Sequence, residues 1–190
     1  MIRIAVIGDI GSGKSFFAKQ FHIPMFCADE VVQSLYKTNK SLFLKLKKIF
    51  PKYLNKFPIK KSQLIDIINQ NPNNLKKIIK LVHPMVRKKM QLFLKKNRNK
   101  KAVVLDVPLF LENKLNLSTD ILVLIIADNK KLVSKLKKRN NYNPKIFKIL
   151  KSLQIPVNKK MEKADFVVKN NFNSVKMKKE AKNLLNKIII

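Results

Sequence analysis

The chain opens on an apolar run, Ile2 to Ile7, broken only by Arg3 and ending at Gly8. Ser15 to Phe21 then sets Phe17, Ala18 and Phe21 at helical spacing. Four later apolar segments have the length of strands: Pro24 to Ala28, Ala102 to Val107, Ile121 to Ala127, and Phe166 to Lys169. They are continuous rather than alternating, the mark of strands covered on both faces. Helical patterns lie between them. Strand–helix alternation predicts an α/β fold of the P-loop NTPase type, a parallel sheet core with helices on both faces. Ligands of such sheets sit at the carboxyl ends of strands. The positions just past Ile7, Ala28, Val107 and Ala127 are therefore the first places to look for chemistry.

Two stretches carry no strand pattern. Residues 38–99 hold helical patterns broken by Pro51, Pro58, Pro72 and Pro84. They interrupt the sheet like an inserted helical subdomain for the substrate. Residues 129–163 are Lys- and Asn-rich helices broken by Pro144 and Pro156, placed where a small kinase keeps its lid. The nucleotide-binding core is then expected in residues 1–37, 100–128 and 164–190.

Composition changes the picture in one respect. Lys and Arg number 42 against 11 acids, for a formal net charge of +31. Such a charge suggests a nucleic-acid or anionic-membrane surface. Yet 38 of the bases are Lys and 4 are Arg, alongside 20 Asn, 21 Ile, 7 Ala and 3 Gly. Residues with A/T-rich codons are in excess and those with G/C-rich codons are scarce. Codon bias explains the charge without a dedicated nucleic-acid partner, and the Lys residues are spread rather than striped. The single cysteine, Cys27, cannot form an intrachain disulfide. No run reaches the ~20 apolar residues of a membrane helix. The first residues run into a strand rather than a leader, so the cytoplasm is the expected location, with no membrane partner.

The three glycines lie within six residues, in Gly8-Asp9-Ile10-Gly11-Ser12-Gly13-Lys14-Ser15. That is G-x-x-x-x-G-K-S between a strand and a helix, the phosphate-binding loop. Successive backbone N–H groups form an anion nest, with the positive end of the next helix behind it. Gly8, Gly11, Ser12, Gly13, Lys14, Ser15 and Phe16 are the expected nucleotide contacts. Lys14 would reach the β- and γ-phosphates of ATP, and Ser15 would ligate Mg²⁺. Ras-type GTPases are excluded, because no N-K-x-D occurs and no glycine outside the loop could complete a D-x-x-G switch.

Further motifs follow in order. Cys27-Ala28-Asp29 comes after the second strand, then Val82-His83-Pro84-Met85-Val86-Arg87, then Asp106-Val107-Pro108-Leu109-Phe110-Leu111-Glu112. Arg139 lies in the lid segment, and Ala164-Asp165-Phe166-Val167-Val168-Lys169-Asn170 closes the series. Together with the phosphate loop, this ordered set resembles the dephospho-CoA kinase family over nearly the whole chain. The resemblance implies transfer of the ATP γ-phosphate to the ribose 3′-hydroxyl of dephospho-CoA. The alternatives are a small nucleoside or nucleotide kinase and, from another class, a basic nucleic-acid-binding ATPase. The chain departs from the family pattern in places. Asp9 and Phe172 replace glycines, Phe16 a small hydroxyl residue, and Cys27 an aspartate. Lys61 and Lys160 stand for arginines, keeping charge but losing the bidentate fork.

The resemblance implies roles that a plainer reading must be set beside. Asp29 would be the base that accepts the acceptor hydroxyl's proton, or a helix N-cap. Asp106 would hold Mg²⁺, or cap a strand end. His83, Arg87, Pro108 and Glu112 would border the acceptor substrate; His83-Pro84 could equally start a helix. Arg139 would neutralise the transferring phosphoryl group, or close a helix. Asn170 would lie near the adenine, or serve a turn.

Overall fold

The structure, a computed structural model, describes residues 1–138 and 142–189. Five strands form one parallel sheet: β1 (Ile2–Gly8), β2 (Met25–Cys27), β3 (Ala102–Asp106), β4 (Ile121–Ala127) and β5 (Phe166–Asn170). Their spatial order is β2-β3-β1-β4-β5. β1 is central, with Ile4 in register with both Val104 and Ile121. Period-two alternation along β1 sends Ile4 and Val6 to one face and Ala5 and Ile7 to the other.

Helices cover both faces. On the first lie α1 (Lys14–Lys19), which stops short of the expected Phe21, the turn after it, and α9 (Ser174–Ile189), packing Phe17, Phe21, Met177 and Leu184 against Ile4, Val6, Val123 and Ile125. Against the other pack α2 (Ala28–Thr38), α3 (Lys40–Ile49), α4 (Lys61–Gln70) and α5 (Asn74–Lys96). Their apolar stripes, including Leu35, Leu46, Ile67 and Val82, join Phe26, Leu105 and Leu124 in a continuous core. Residues 129–163 hold α6 (Asn129–Lys137), α7 (Pro144–Ser152) and α8 (Val157–Met161). Asp128 and Asn143 cap α6 and α7 through their side-chain oxygens.

Two local expectations need correction. Ala28 belongs to α2 and not to a strand, because β2 ends at Cys27. Pro84 neither starts nor breaks a helix. It lies inside the 23-residue α5, whose buried stripe of Ile78, Val82, Val86 and Met90 continues past it. Packing of that stripe outweighs the missing backbone donor, which costs ~3 kcal/mol or more in an isolated helix.

Candidate active site

The phosphate loop joins β1 to α1 and is held on three sides. Gly8 has φ 143°, and a Cβ there would strike the Ile125 carbonyl, so the loop leaves the sheet as only glycine can. Gly13, at φ 97°, lies against the Asn170 side chain with no space for a Cβ. Asn170, buried at the end of β5, donates to the Ser12 carbonyl (2.8 Å) and accepts from the Phe172 N–H (2.7 Å). From the third side, Gln154 donates to the Gly8 carbonyl (3.4 Å) and accepts from the Ile10 N–H (3.3 Å).

Lys14 donates to the Asp9 carbonyl at 2.9 Å. Burial lowers its pKa below the usual lysine range; Lys160 adds to the effect, while Asp106, Asp9 and Asp29 oppose it. Lys160, on α8, is 2% exposed and lies 3.1 Å from Asp9 Oδ1 and 3.4 Å from Glu112 Oε1. Glu112 Oε1 also accepts from the Ile155 N–H.

The carboxylates gather at the neighbouring strand ends. Asp106 is the last residue of β3, buried beside Cys27, whose Sγ lies 3.9 Å from Asp106 Oδ2. Asp29 is the second residue of α2, and the N-cap is Cys27, which makes no side-chain cap bond. The cap reading of Asp29 is thereby excluded. Asp29 is exposed, yet the surrounding protein desolvates its carboxyl and pushes it above the usual range, with the Asp106 charge adding and Lys14 opposing. Burial also raises the Cys27 thiol.

Asp29 borders an open cleft of about 260 Å³, walled by Val32, Tyr36, Ile78, Val82, Val107 and Leu109 among others. His83, Arg87 and Pro108 line it too. Burial and the neighbouring Arg87 lower the His83 pKa, so the imidazole is neutral at pH 7. Glu112 stands apart from these three and faces the phosphate loop through Lys160. A second cleft, about 220 Å³, opens on the other side of the loop between Gly11, Gly13, Phe16, Asn170 and Phe172. Lys135 Nζ stands 4.6 Å over the Phe172 ring. Arg139 lies outside the described residues.

Sequence reasoning thus brought together Lys14, Ser15, Asp29 and Asp106 at one sheet edge. It missed Gln154, and it read Lys160 only as a substitution. No local pattern marks either, because both act on a loop some 145 residues earlier in the chain.

Comparison with known proteins bears on this site. A model of the dephospho-CoA kinase family matches residues 2–176. The dephospho-CoA kinase of Wolbachia sp. subsp. Brugia malayi is 34% identical over 170 residues, 87% of each chain. That of Lactobacillus acidophilus is 30% identical and covers 97% of this chain and 96% of its own. Among solved structures, TT1252 from Thermus thermophilus superposes with a TM-score of 0.77 at 24% identity, over 98% of this chain and 97% of that one. A dephospho-CoA kinase from Campylobacter jejuni gives 0.66 at 22%, over 98% and 96%. Those two likenesses establish the fold, while the family match and the sequence relatives reach further. The chain belongs to the dephospho-CoA kinase family, an ATP-dependent kinase built on a P-loop core.

Proposed function

We propose that this chain phosphorylates the ribose 3′-hydroxyl of dephospho-CoA with ATP, releasing coenzyme A and ADP. The observation that carries the reading is that Lys14 of the phosphate loop stands within electrostatic reach of both Asp106 and Asp29, while Asp29 borders the 260 Å³ cleft. The triphosphate would lie in the nest of N–H groups from Gly11 to Ser15, with Lys14 turning from the Asp9 carbonyl to the β/γ oxygens. The added negative charge restores the Lys14 ammonium against its burial.

The acceptor enters the cleft beside His83, Arg87 and Pro108. Its 3′-oxygen attacks the γ-phosphorus as the bond to the bridging oxygen breaks, and Asp29 takes the hydroxyl proton. Asp29 suits that role because its raised pKa makes it a better base than an ordinary aspartate. Lys14 stabilises the charge that gathers on the departing ADP. The adenine would lie in the second cleft near Phe16, with Asn170 holding the loop from behind. Ser15 and Asp106 offer a hydroxyl and a carboxylate, hard oxygen donors that fit Mg²⁺. When bound, that ion neutralises phosphate charge. Residues 38–99 serve as the substrate subdomain and 129–163 as the lid, with Arg139 as a lid cation. The proposed site of action is the cytoplasm; no helix among the described residues is long and apolar enough to cross a membrane.

An ATP-consumption assay across dephospho-CoA, nucleoside monophosphates and nucleic acid tests the reading. Turnover is expected with dephospho-CoA alone and should vanish in a folded Lys14→Ala variant, which lacks several kcal/mol of transition-state stabilisation. Preference for a nucleoside monophosphate would replace the acceptor; near-normal turnover by Lys14→Ala would refute the kinase site.

A further inference from the structure

Just past β5 the chain turns through Phe172 at φ 64°, the left-handed region that glycine enters without cost. The family pattern has a glycine there. This chain instead holds a bulky aromatic residue in a glycine's conformation, fixed by the 2.7 Å bond from its N–H to Asn170 Oδ1. Strain of this kind collects at ligand sites. The ring walls the 220 Å³ cleft beside the phosphate loop, together with Phe16, Met177 and Lys135. Phe16 is 40% exposed and adds a second aromatic ring to the same cleft. Lys135 Nζ stands 4.6 Å over the Phe172 ring from α6, so a face of that ring opens on the cleft.

The polar groups at this rim are committed to the turn itself. Asn170 donates to the Ser12 carbonyl and accepts from the Phe172 N–H. Asn171 Oδ1 accepts from the Asn173 N–H (3.1 Å), and Asn173 Oδ1 accepts from the Lys176 N–H in the first turn of α9 (3.0 Å). Three amide oxygens and two loop N–H groups that could read the edge of a base are thereby spent. What these residues offer a base is aromatic face.

We infer that Phe172 sets the base specificity of the donor site: it holds the purine by stacking, and the site accepts guanosine and inosine triphosphates beside ATP. The inference rests on the ATP-site reading above. Stacking tolerates any purine, because each presents a π-face. Edge recognition does not. Adenine carries an amino donor where guanine and hypoxanthine carry a carbonyl acceptor, and a site built on that hydrogen bond rejects the wrong group strongly. The Lys135 ammonium, exposed and on a flexible stem, gives way to the purine on the ring face.

The test measures KM and kcat for ATP, GTP and ITP with dephospho-CoA as acceptor, and the affinity for inorganic tripolyphosphate, which has phosphates but no base. Wild-type kcat/KM for GTP and ITP is expected within about tenfold of that for ATP. Phe172→Gly relieves the strained turn and should fold. It should raise the KM of all three donors about tenfold or more, with tripolyphosphate affinity held within about twofold. Phe172→Leu keeps apolar bulk without a π-face and should share the loss, while Phe172→Tyr should stay close to wild type. A wild-type preference for ATP beyond tenfold overturns the inference in favour of edge recognition. So does a Phe172→Gly variant that keeps its donor KM, or one that loses tripolyphosphate as much as nucleotide. Failure of the underlying ATP-site reading looks different: the wild-type protein would then bind neither nucleotide nor tripolyphosphate.

Discussion

Asp29, just past β2, and Asp106, at the end of the adjacent β3, set the pH response: desolvation raises the Asp29 carboxyl and the Asp106 charge adds to it. A carboxyl with a raised pKa is protonated higher on the pH scale than an ordinary aspartate near ~3.9. The base form is lost as pH falls, so kcat/KM should decline on an acid limb above that value. Asp106→Asn removes a like charge and should move the limb of whatever activity remains towards lower pH. A pH–rate profile of both proteins checks this, and an unmoved limb would separate the two carboxylates. Asp29→Asn should lower transfer by roughly 10²-fold or more while ATP affinity and melting temperature hold. The substitution also bears on the helix start, since Asp29 lies in the first turn of α2. Loss of a charge there costs only about 0.3–1 kcal/mol, too little to imitate a catalytic defect.

At the scale of elements, α5 and its Pro84 are the informative case. The helix carries His83 into the acceptor cleft with a proline on the next position. Pro84→Ala would restore a backbone donor and should raise stability by ~1–3 kcal/mol, seen as a higher melting temperature. If the proline sets the direction of His83 and Arg87, the same variant should bind dephospho-CoA less well. A gain in stability with an unchanged acceptor KM would confine Pro84 to history. This helix also shows where sequence reading stops. Ile121–Ala127 was legible to the residue because a buried parallel strand is apolar throughout. The phosphate loop was legible because its glycines have no substitutes. Pro84 was misread because a proline's local penalty is visible in sequence, whereas the packed stripe that overrides it is not. Gln154 gave no signal, and Lys160 only its likeness to a family arginine, because their partners become neighbours only once the sheet is assembled. Cys27, by contrast, kept its strand-end position but took the cap position expected of Asp29.

For the whole molecule, the formal charge of +31 makes a prediction that the fold alone does not. Lysines occur on nearly every helix, including both ends of α5 and the exposed turns of α9, with no single element monopolising them. Binding to duplex DNA should be weak, indifferent to sequence and lost steeply with salt. A filter-binding or anisotropy titration between about 50 and 200 mM salt measures it. Sub-micromolar affinity persisting at the upper end would mean that a nucleic-acid surface had been overlooked.

The place of β1 at the centre of the sheet has a consequence for the chain as it leaves the ribosome. Its partners are β3, which begins at Ala102, and β4, which ends at Ala127. The loop that is to hold phosphate is made well before the partners of its strand, which has no neighbour until some 100 further residues have emerged. At ~5–20 residues per second that is about 5–20 s of waiting. During this interval Ile2–Ile7 is an unpaired apolar edge, the kind of segment that aggregates or recruits chaperones. Translation speed through residues 8–127 therefore sets how long that edge stays open.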